Sequence, residues 1–170
     1  MLSQNKHFLV KITKYSNWAN NRIRSVLQEI DDQKFCHNLG KIFVNDTNCT
    51  NPSIRSIIEH CMMGFYFCIQ IMREIPFKPQ EIILKLRQTS KNQLIEEWAR
   101  IDVEYAQLID KNWGKPVQFN KQDFILNEDF FFAFSNHMIY HRGQIMTAMK
   151  LIGAQGIDTD YMTFLNEMTK

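Results

Sequence analysis

Apolar positions in residues 5–30 recur at steps of three and four. They are Phe8, Ile12, Tyr15, Ala19, Ile23, Val26 and Ile30. This spacing places one apolar stripe along an α-helix and leaves polar residues on its other faces. The segment therefore predicts a long amphipathic helix, and Gly40 with the polar run 45–51 predicts the loop that follows it.

A second helix is predicted from its end signals. Asn51 can cap the free N–H groups of a helix start, and Pro52 suits the first helical position. Pro76 disfavours helical geometry in the residue before it, so the helix should end nearby. A third helix follows from apolar residues at alternating steps of four and three, the spacing that lets bundle helices pack at shallow angles. These residues are Leu94, Trp98, Ile101, Tyr105 and Leu108.

The last part of the chain predicts a fourth long helix. Residues 113–116, Trp-Gly-Lys-Pro, should end the third helix. Residues 117–126 alternate apolar and polar types only weakly, which indicates a short extended segment without a defined strand. The fourth helix then covers 127–152 and stops at Gly153, because glycine takes the left-handed conformation that helix ends favour.

Together these helices predict a single all-α domain over residues 1–170. Its expected architecture is a four-helix bundle followed by a short C-terminal helix, which Asp158 or Thr159 can cap. No internal repeat or second-domain linker is visible. A chain of 170 residues with 45% hydrophobic residues can bury about 70% of its extended surface without disulfides.

Charge and hydropathy argue against two classes of partner. The formal charge of +2 comes from 20 basic and 18 acidic residues spread along the chain, so no basic block is available to follow a nucleic-acid backbone. The N-terminal residues have no signal-peptide apolar run, and no segment reaches the roughly 18 uncharged residues of a membrane span. We therefore expect a cytoplasmic protein with no membrane or nucleic-acid partner. Its four cysteines form no CxxC pair, which favours reduced, structural thiols.

Two histidines give the fourth helix its candidate chemistry. His137 and His141 stand four residues apart, so both imidazoles lie on one face about one turn from each other. Their face carries mostly apolar residues, so both rings are predicted to point into the core. The neighbours on that face are Phe130, Ala133, Phe134, Gln144, Ala148, Leu151 and Ile152.

His60 offers a third imidazole from the second helix. It shares a predicted inward face with Ser53, Ser56, Ile57, Gly64, Phe67 and Ile71. Gly64, one turn further on, should leave space beside the His60 ring. Facing helices of a bundle can bring such histidines together in the interior.

A single cation would satisfy all three predicted rings. A buried polar group without a partner costs on the order of 1 to 3 kcal/mol, and neither stripe carries an Asp or Glu. Neutral imidazole suits zinc, nickel, iron or copper, and three protein ligands leave one coordination position open for chemistry. The alternative reading is that these are ordinary core or surface histidines, because His-x-x-x-His pairs arise by chance. His7 and His37 lie outside the stripes and are expected to be solvated.

Three motifs carry a family resemblance. They are YSNWANNR at 15–22, SIRSIIEH at 53–60 and NHMIYHRGQI at 136–145, and together they resemble the DinB family. The resemblance implies a DinB/YfiT-like bundle of up-down-down-up topology, commonly a homodimer. It also implies a divalent metal ion on one histidine of the second helix and two of the fourth, which by position are His60, His137 and His141.

The resemblance also implies a range of functions. Members with assigned activities resemble thiol-dependent transferases or isomerases, and a few resemble hydrolases. We therefore expect a metal-dependent enzyme that activates a thiol or water nucleophile, with zinc, nickel, iron or manganese and a low-molecular-weight thiol as candidate cosubstrate. The alternative is a non-catalytic metal- or small-ligand-binding bundle of the stress-response type.

Single residues of the fourth-helix motif suggest further roles. Tyr140 stands where family members often carry another histidine, and it is a weak candidate for a catalytic proton donor. Gln144 is positioned to hydrogen-bond a ligand imidazole or a metal-bound water, or another helix. Arg142 projects away from His137, so we expect it to anchor a loop or a dimer partner.

Overall fold

The computed structural model describes residues 2–40, 52–112, 114–118 and 124–169. Within these ranges it has seven helices and two short strands. In chain order they are α1 (Leu2–Glu29), α2 (Asp32–Phe35), α3 (Ile54–Met72), α4 (Pro79–Gln88), α5 (Lys91–Asn112), β1 (Pro116–Gln118), β2 (Phe124–Leu126), α6 (Asn127–Leu151) and α7 (Tyr161–Met168). Helices α1, α3, α5 and α6 are the four long members of the predicted bundle.

Contacts between helices fix the direction of the first three long helices. Lys91, at the start of α5, donates to the carbonyl of Gln28 at the end of α1 at 3.3 Å, so these two helices are antiparallel. Helices α3 and α5 are parallel, because two contacts between them follow the same order along both helices. The Tyr66 hydroxyl donates to Glu97, and Arg73 pairs with Glu104 at 2.6 Å.

Helix α6 returns in the direction of α1. The rings of Phe65 and Phe134 lie 4.9 Å apart and those of His60 and His141 lie 4.6 Å apart, so α3 and α6 run in opposite directions. The order is therefore up, down, down, up, and the predicted topology and all-α class are confirmed. Helix α4 lies in the connection that lets α3 and α5 run parallel.

The predicted apolar stripes meet in one core. Buried residues from α1, α3, α4, α5 and α6 belong to the same cluster. Full burial of an aliphatic or aromatic side chain contributes about 1.5–3 kcal/mol, so these contacts are the main source of stability. The largest side chains with almost no exposure include Ile23, Leu27, Phe35, Ile57, Met62, Leu94, Trp98 and Phe131.

Element ends differ from the predictions at the start of α3 and at the cap of α7. Helix α3 begins after Ser53, whose hydroxyl accepts from the Ser56 N–H in a capping box, so Pro52 precedes the helix. Asn51, the predicted cap, lies outside the described residues. Asp160 caps α7 instead of Asp158 or Thr159. The predicted stop after the fourth helix is confirmed, because Gly153 has a φ of 70°.

The short helices α2 and α4 and the strand pair were not predicted. Helix α4 has a proline at its first position and charged residues around a short apolar face, Ile82 and Leu86. The weakly alternating segment contains an antiparallel strand pair, with Pro116 opposite Leu126 and Gln118 opposite Phe124. Among the described helices, none is both long and apolar enough to cross a membrane.

Candidate metal centre

Three histidine rings from two helices meet at one point. Each ring offers one nitrogen, and the three nitrogens lie within 4.8 Å of one another. The ring of His60, on α3, lies 5.7 Å from that of His137 and 4.6 Å from that of His141, centroid to centroid. The two α6 rings are 4.3 Å apart. This arrangement follows from two antiparallel helices in contact and a spacing of one turn on α6.

The site lies at the rim of the bundle rather than at its centre. His141 is 1% exposed, His60 is half-buried and His137 is exposed. The prediction that both α6 histidines point into the core is therefore wrong for His137. The buried face of α6 is centred on Met138 and Ile145, and at 100° per residue His137 lies about 90° from that centre. One side of the site can therefore be reached from solvent.

The hydrogen bonds of His141 define which of its nitrogens is free for a metal ion. Its Nδ1 lies 2.7 Å from the Gln144 side-chain carbonyl. Because a carbonyl oxygen only accepts, Nδ1 carries the hydrogen and Nε2 keeps its lone pair. The Nε2 of His137 lies 2.9 Å from that lone pair and donates to it. A cation would replace this shared hydrogen.

The donor set suits a first-row transition ion. Ligand nitrogens around a tetrahedral zinc ion stand about 3.4 Å apart, and the histidine nitrogens span from 2.9 Å up to 4.8 Å. Small side-chain rotations cover that difference. Three imidazoles suit zinc, nickel or iron better than calcium or magnesium, which prefer oxygen ligands.

A cavity of about 400 Å³ opens beside two of the rings. It lies between α3 and α4, and its walls are mostly apolar. Its lining residues are Ser56, Glu59, His60, Met63, Gly64, Phe67, Phe77, Ile83, Leu86, Arg87 and His137. A small molecule in this cavity can reach an ion held on His60 and His137.

A comparison with family models identifies the family of the chain. The model of the DinB family matches residues 1–169. The chain belongs to the DinB family. None of the curated proteins that were searched matches it.

Arg55 of this DinB family member holds α4, which forms one wall of the cavity. Arg55 Nη2 donates to the carbonyl oxygens of Leu86 at 2.8 Å and Thr89 at 2.7 Å, which caps the end of α4. Arg55 Nε pairs with Glu59 at 2.7 Å. Glu59 thus orients Arg55, and Arg55 holds α4 against α3.

Sequence reasoning missed most of the cavity lining. Met63 stands three residues after His60 and Glu59 three residues after Ser56, so the helical spacing of α3 could have indicated both. The contribution of α4, including Ile83 and Arg87, has no comparable signal, because that helix was not predicted.

Gly64 has a second role besides the predicted one. A Cβ at this position would lie 2.8 Å from Cε2 of Phe134. The missing side chain therefore admits the Phe134 ring, and Gly64 also lines the cavity beside His60, as predicted. The Phe134 ring is also packed by Phe65 and Tyr105, at 4.9 and 5.3 Å between centroids.

Two residues near the histidines lie outside the cavity lining. Tyr140 is 54% exposed, and its ring lies 5.1 Å from that of His141. Cys61, next to His60, is buried, and burial raises the pKa of its thiol well above the usual value. It is therefore a neutral thiol rather than a thiolate ligand.

Arg142, next to His141, packs against residues of the 15–22 motif of α1. The Arg142 guanidinium is buried, lies 4.8 Å from the centre of the Tyr15 ring, and donates to Ser16 O and Asn20 Oδ1 at 3.4 Å. Asn20 in turn donates to Asp102 on α5. Arg142 thus ties α6 to α1 within the chain, which corrects the prediction of a loop or partner contact.

Proposed function

We propose that this DinB family member holds one divalent metal ion on His60, His137 and His141 and is a metal-dependent enzyme of the transferase or hydrolase type. The observation that supports the proposal is the meeting of three imidazole nitrogens within 4.8 Å beside a cavity. A purely structural site would more often be closed by a fourth protein ligand.

The side chains of the site would have separate roles. His60, His137 and His141 provide neutral donors, and Gln144 fixes the His141 tautomer so that Nε2 faces the other rings. When bound, a divalent ion would supply Lewis acidity, lowering the pKa of a thiol or a water so that a nucleophile exists at neutral pH. Tyr140 takes no part in this proposal, because its ring lies outside the cavity lining.

Metal content tests the proposal first. The variant His60→Asn and the control His37→Asn are purified without chelator, together with the unmodified protein, and their metal is measured by elemental analysis. His37 is exposed and outside the cluster. We expect about one ion per chain in the unmodified protein and the control, and less than a tenth of that in His60→Asn. Equal metal in all three would refute the assignment.

An activity panel tests the enzymatic half. The metal-loaded protein is assayed with low-molecular-weight thiols and electrophilic acceptors for transfer, and with esters and amides for hydrolysis. Turnover that disappears in His60→Asn but remains in His37→Asn supports an enzyme. Normal metal binding with no turnover, together with a lower melting temperature after chelation, supports the non-catalytic bundle instead.

We also propose that the protein is a homodimer through the outer face of α6. Phe132 and Ile139 are 54% and 40% exposed and stand two turns apart on that face, and neighbouring exposed apolar side chains favour an interaction surface. Ile139→Lys should shift the molecular mass measured by light scattering towards the monomer. The control Val103→Lys, at an exposed apolar position of α5, should not.

A further inference from the structure

The cavity beside the histidines contains an arginine with no carboxylate partner. Arg87 lines the cavity from α4 and is exposed at its edge. Over the part of the chain that the structure describes, no Asp or Glu lies within ion-pair distance of its guanidinium, whereas Arg55 close by is paired with Glu59 at 2.7 Å. An unpaired cation at the edge of a pocket favours an anionic ligand.

The walls of the cavity are suited to an apolar body. Met63, Phe67, Phe77, Ile83 and Leu86 are its large apolar lining residues. The rings of Phe67 and Phe77 meet edge to face at 5.1 Å. The volume of about 400 Å³ lies in the range of pockets that bind small organic molecules.

The charges around the cavity are complementary to an anion. Glu59 is the carboxylate among the lining residues, and its ion pair with Arg55 neutralises it. Arg87 adds a positive charge, and His60 and His137 are neutral donors or carry a cation. A negatively charged ligand therefore meets no uncompensated negative charge in the lining, and a positively charged ligand meets Arg87.

We propose that the cavity binds amphipathic anions, in which a compact apolar body packs between Phe67, Phe77 and Ile83 and a carboxylate or similar group pairs with Arg87. Such molecules are the substrate class of the enzyme proposed above. This inference rests on the proposed function, because it takes the cavity as the substrate site of that enzyme. Binding to Arg87 and the apolar walls does not itself require the metal ion.

Three matched probes test the ligand class on metal-stripped protein. 4-Phenylbutyrate, 4-phenylbutan-1-ol and 4-phenylbutylammonium share one apolar body and differ in the charge of the end group. Dissociation constants are measured by chemical-shift titration in nuclear magnetic resonance. We expect the acid to bind about five- to tenfold more tightly than the alcohol, and the ammonium compound to bind most weakly. Equal affinities for the acid and the alcohol would overturn the proposal.

Variants assign the preference to its residues. Arg87→Gln should make the acid and the alcohol bind equally, and Arg87→Lys should retain part of the difference. The control Lys85→Gln removes a positive charge from the same helix, where it faces Glu97 and Tyr66 rather than the cavity, and should leave the preference unchanged. A preference that survives Arg87→Gln would refute the role of Arg87.

A cavity-filling variant locates the binding site. Ile83→Trp should weaken all three probes at least tenfold, and unchanged binding would refute the cavity as the site. The exposed Arg87 variants keep the test decisive if Ile83→Trp does not fold. Because the titrations use metal-free protein, their failure leaves the metal assignment intact, and a failure of the metal assay leaves the probe result intact.

Discussion

Gly64→Ala is the substitution whose effect on stability follows most directly from the structure. Two effects of opposite sign compete. Alanine in a helix interior is favoured over glycine by about 1 kcal/mol. The added Cβ would lie 2.8 Å from Cε2 and 3.4 Å from Cζ of Phe134, whereas carbon atoms in contact prefer about 3.5–4.0 Å.

The steric effect should win because Phe134 has little room to retreat. Its ring is 8% exposed and packed between Phe65 and Tyr105. Overpacking a core by one methyl group costs about 1–3 kcal/mol. A contact of 2.8 Å is too short for carbon atoms, so we take the upper part of that range, about 2–3 kcal/mol. Subtracting about 1 kcal/mol for helix propensity leaves a net loss of about 1–2 kcal/mol, and each kcal/mol corresponds to about 2–4 °C in melting temperature for a chain of this size.

Gly143→Ala is the matched control. It makes the same change inside α6, where a Cβ meets nothing within 4 Å, so it should stabilise the protein by about 0.5–1 kcal/mol. Both variants are measured by urea unfolding followed by circular dichroism, at one fixed protein concentration. The difference between them isolates the contact with Phe134.

A double-mutant cycle tests the assigned contact. In a Phe134→Leu background, the smaller side chain should relieve the overlap, so Gly64→Ala should cost at least about 1 kcal/mol less than in the unmodified protein. Gly64→Ala that is as stable as the unmodified protein, or equally costly in both backgrounds, would contradict the steric argument.

Three further predictions concern buried charge, acid stability and metal affinity. Asp102→Ala should lower the free energy of unfolding by about 3–5 kcal/mol, because it leaves the buried Arg24 guanidinium without its carboxylate partner at 2.5 Å; urea unfolding measures this. The hydrogen bond from Arg100 lowers the pKa of Glu97 from 4.5 to about 2, so its stabilisation is complete above pH 4.5 and is lost as the pH falls towards 2. In Glu97→Gln the free energy of unfolding, measured by urea, should therefore decline less over that range. The difference should be no more than about 1 kcal/mol, because this network is partly exposed. Gln144→Ala should weaken zinc binding about 10- to 100-fold in a chelator competition, because it removes the hydrogen bond that orients a ligand ring.

Two control variants cover these three predictions, one for the stability measurements and one for zinc affinity. Glu81→Ala breaks the exposed pair with Lys78 and should change stability by less than about 0.5 kcal/mol. Gln93→Ala removes an exposed glutamine of α5 that bonds Ser90 and should leave zinc affinity unchanged. A loss below 1 kcal/mol in Asp102→Ala, an unaltered acid profile in Glu97→Gln, or zinc affinity in Gln144→Ala equal to that of Gln93→Ala would each count against the corresponding reasoning.

The long helices and the three histidines were accessible from the sequence. Periodicity is a local property, because residues three and four apart share a helix face whatever surrounds it. It therefore located α1, α3, α5 and α6 and put His60 and the His137–His141 pair on faces that meet. The short α4 has too few apolar positions for such a signal, and the strand pair depends on contacts between its two strands.

What the sequence determined by itself is the four long helices, the family resemblance of the chain and the candidate metal ligands. The tertiary structure decided how each face is covered. It placed His137 at the rim while His141 is buried, put Phe134 against Gly64, turned Arg142 onto α1, and made a cavity from α3 and the unpredicted α4. The physical reason is that helical periodicity gives the direction of a side chain, whereas burial, partners and accessible space depend on which other helix lies in that direction.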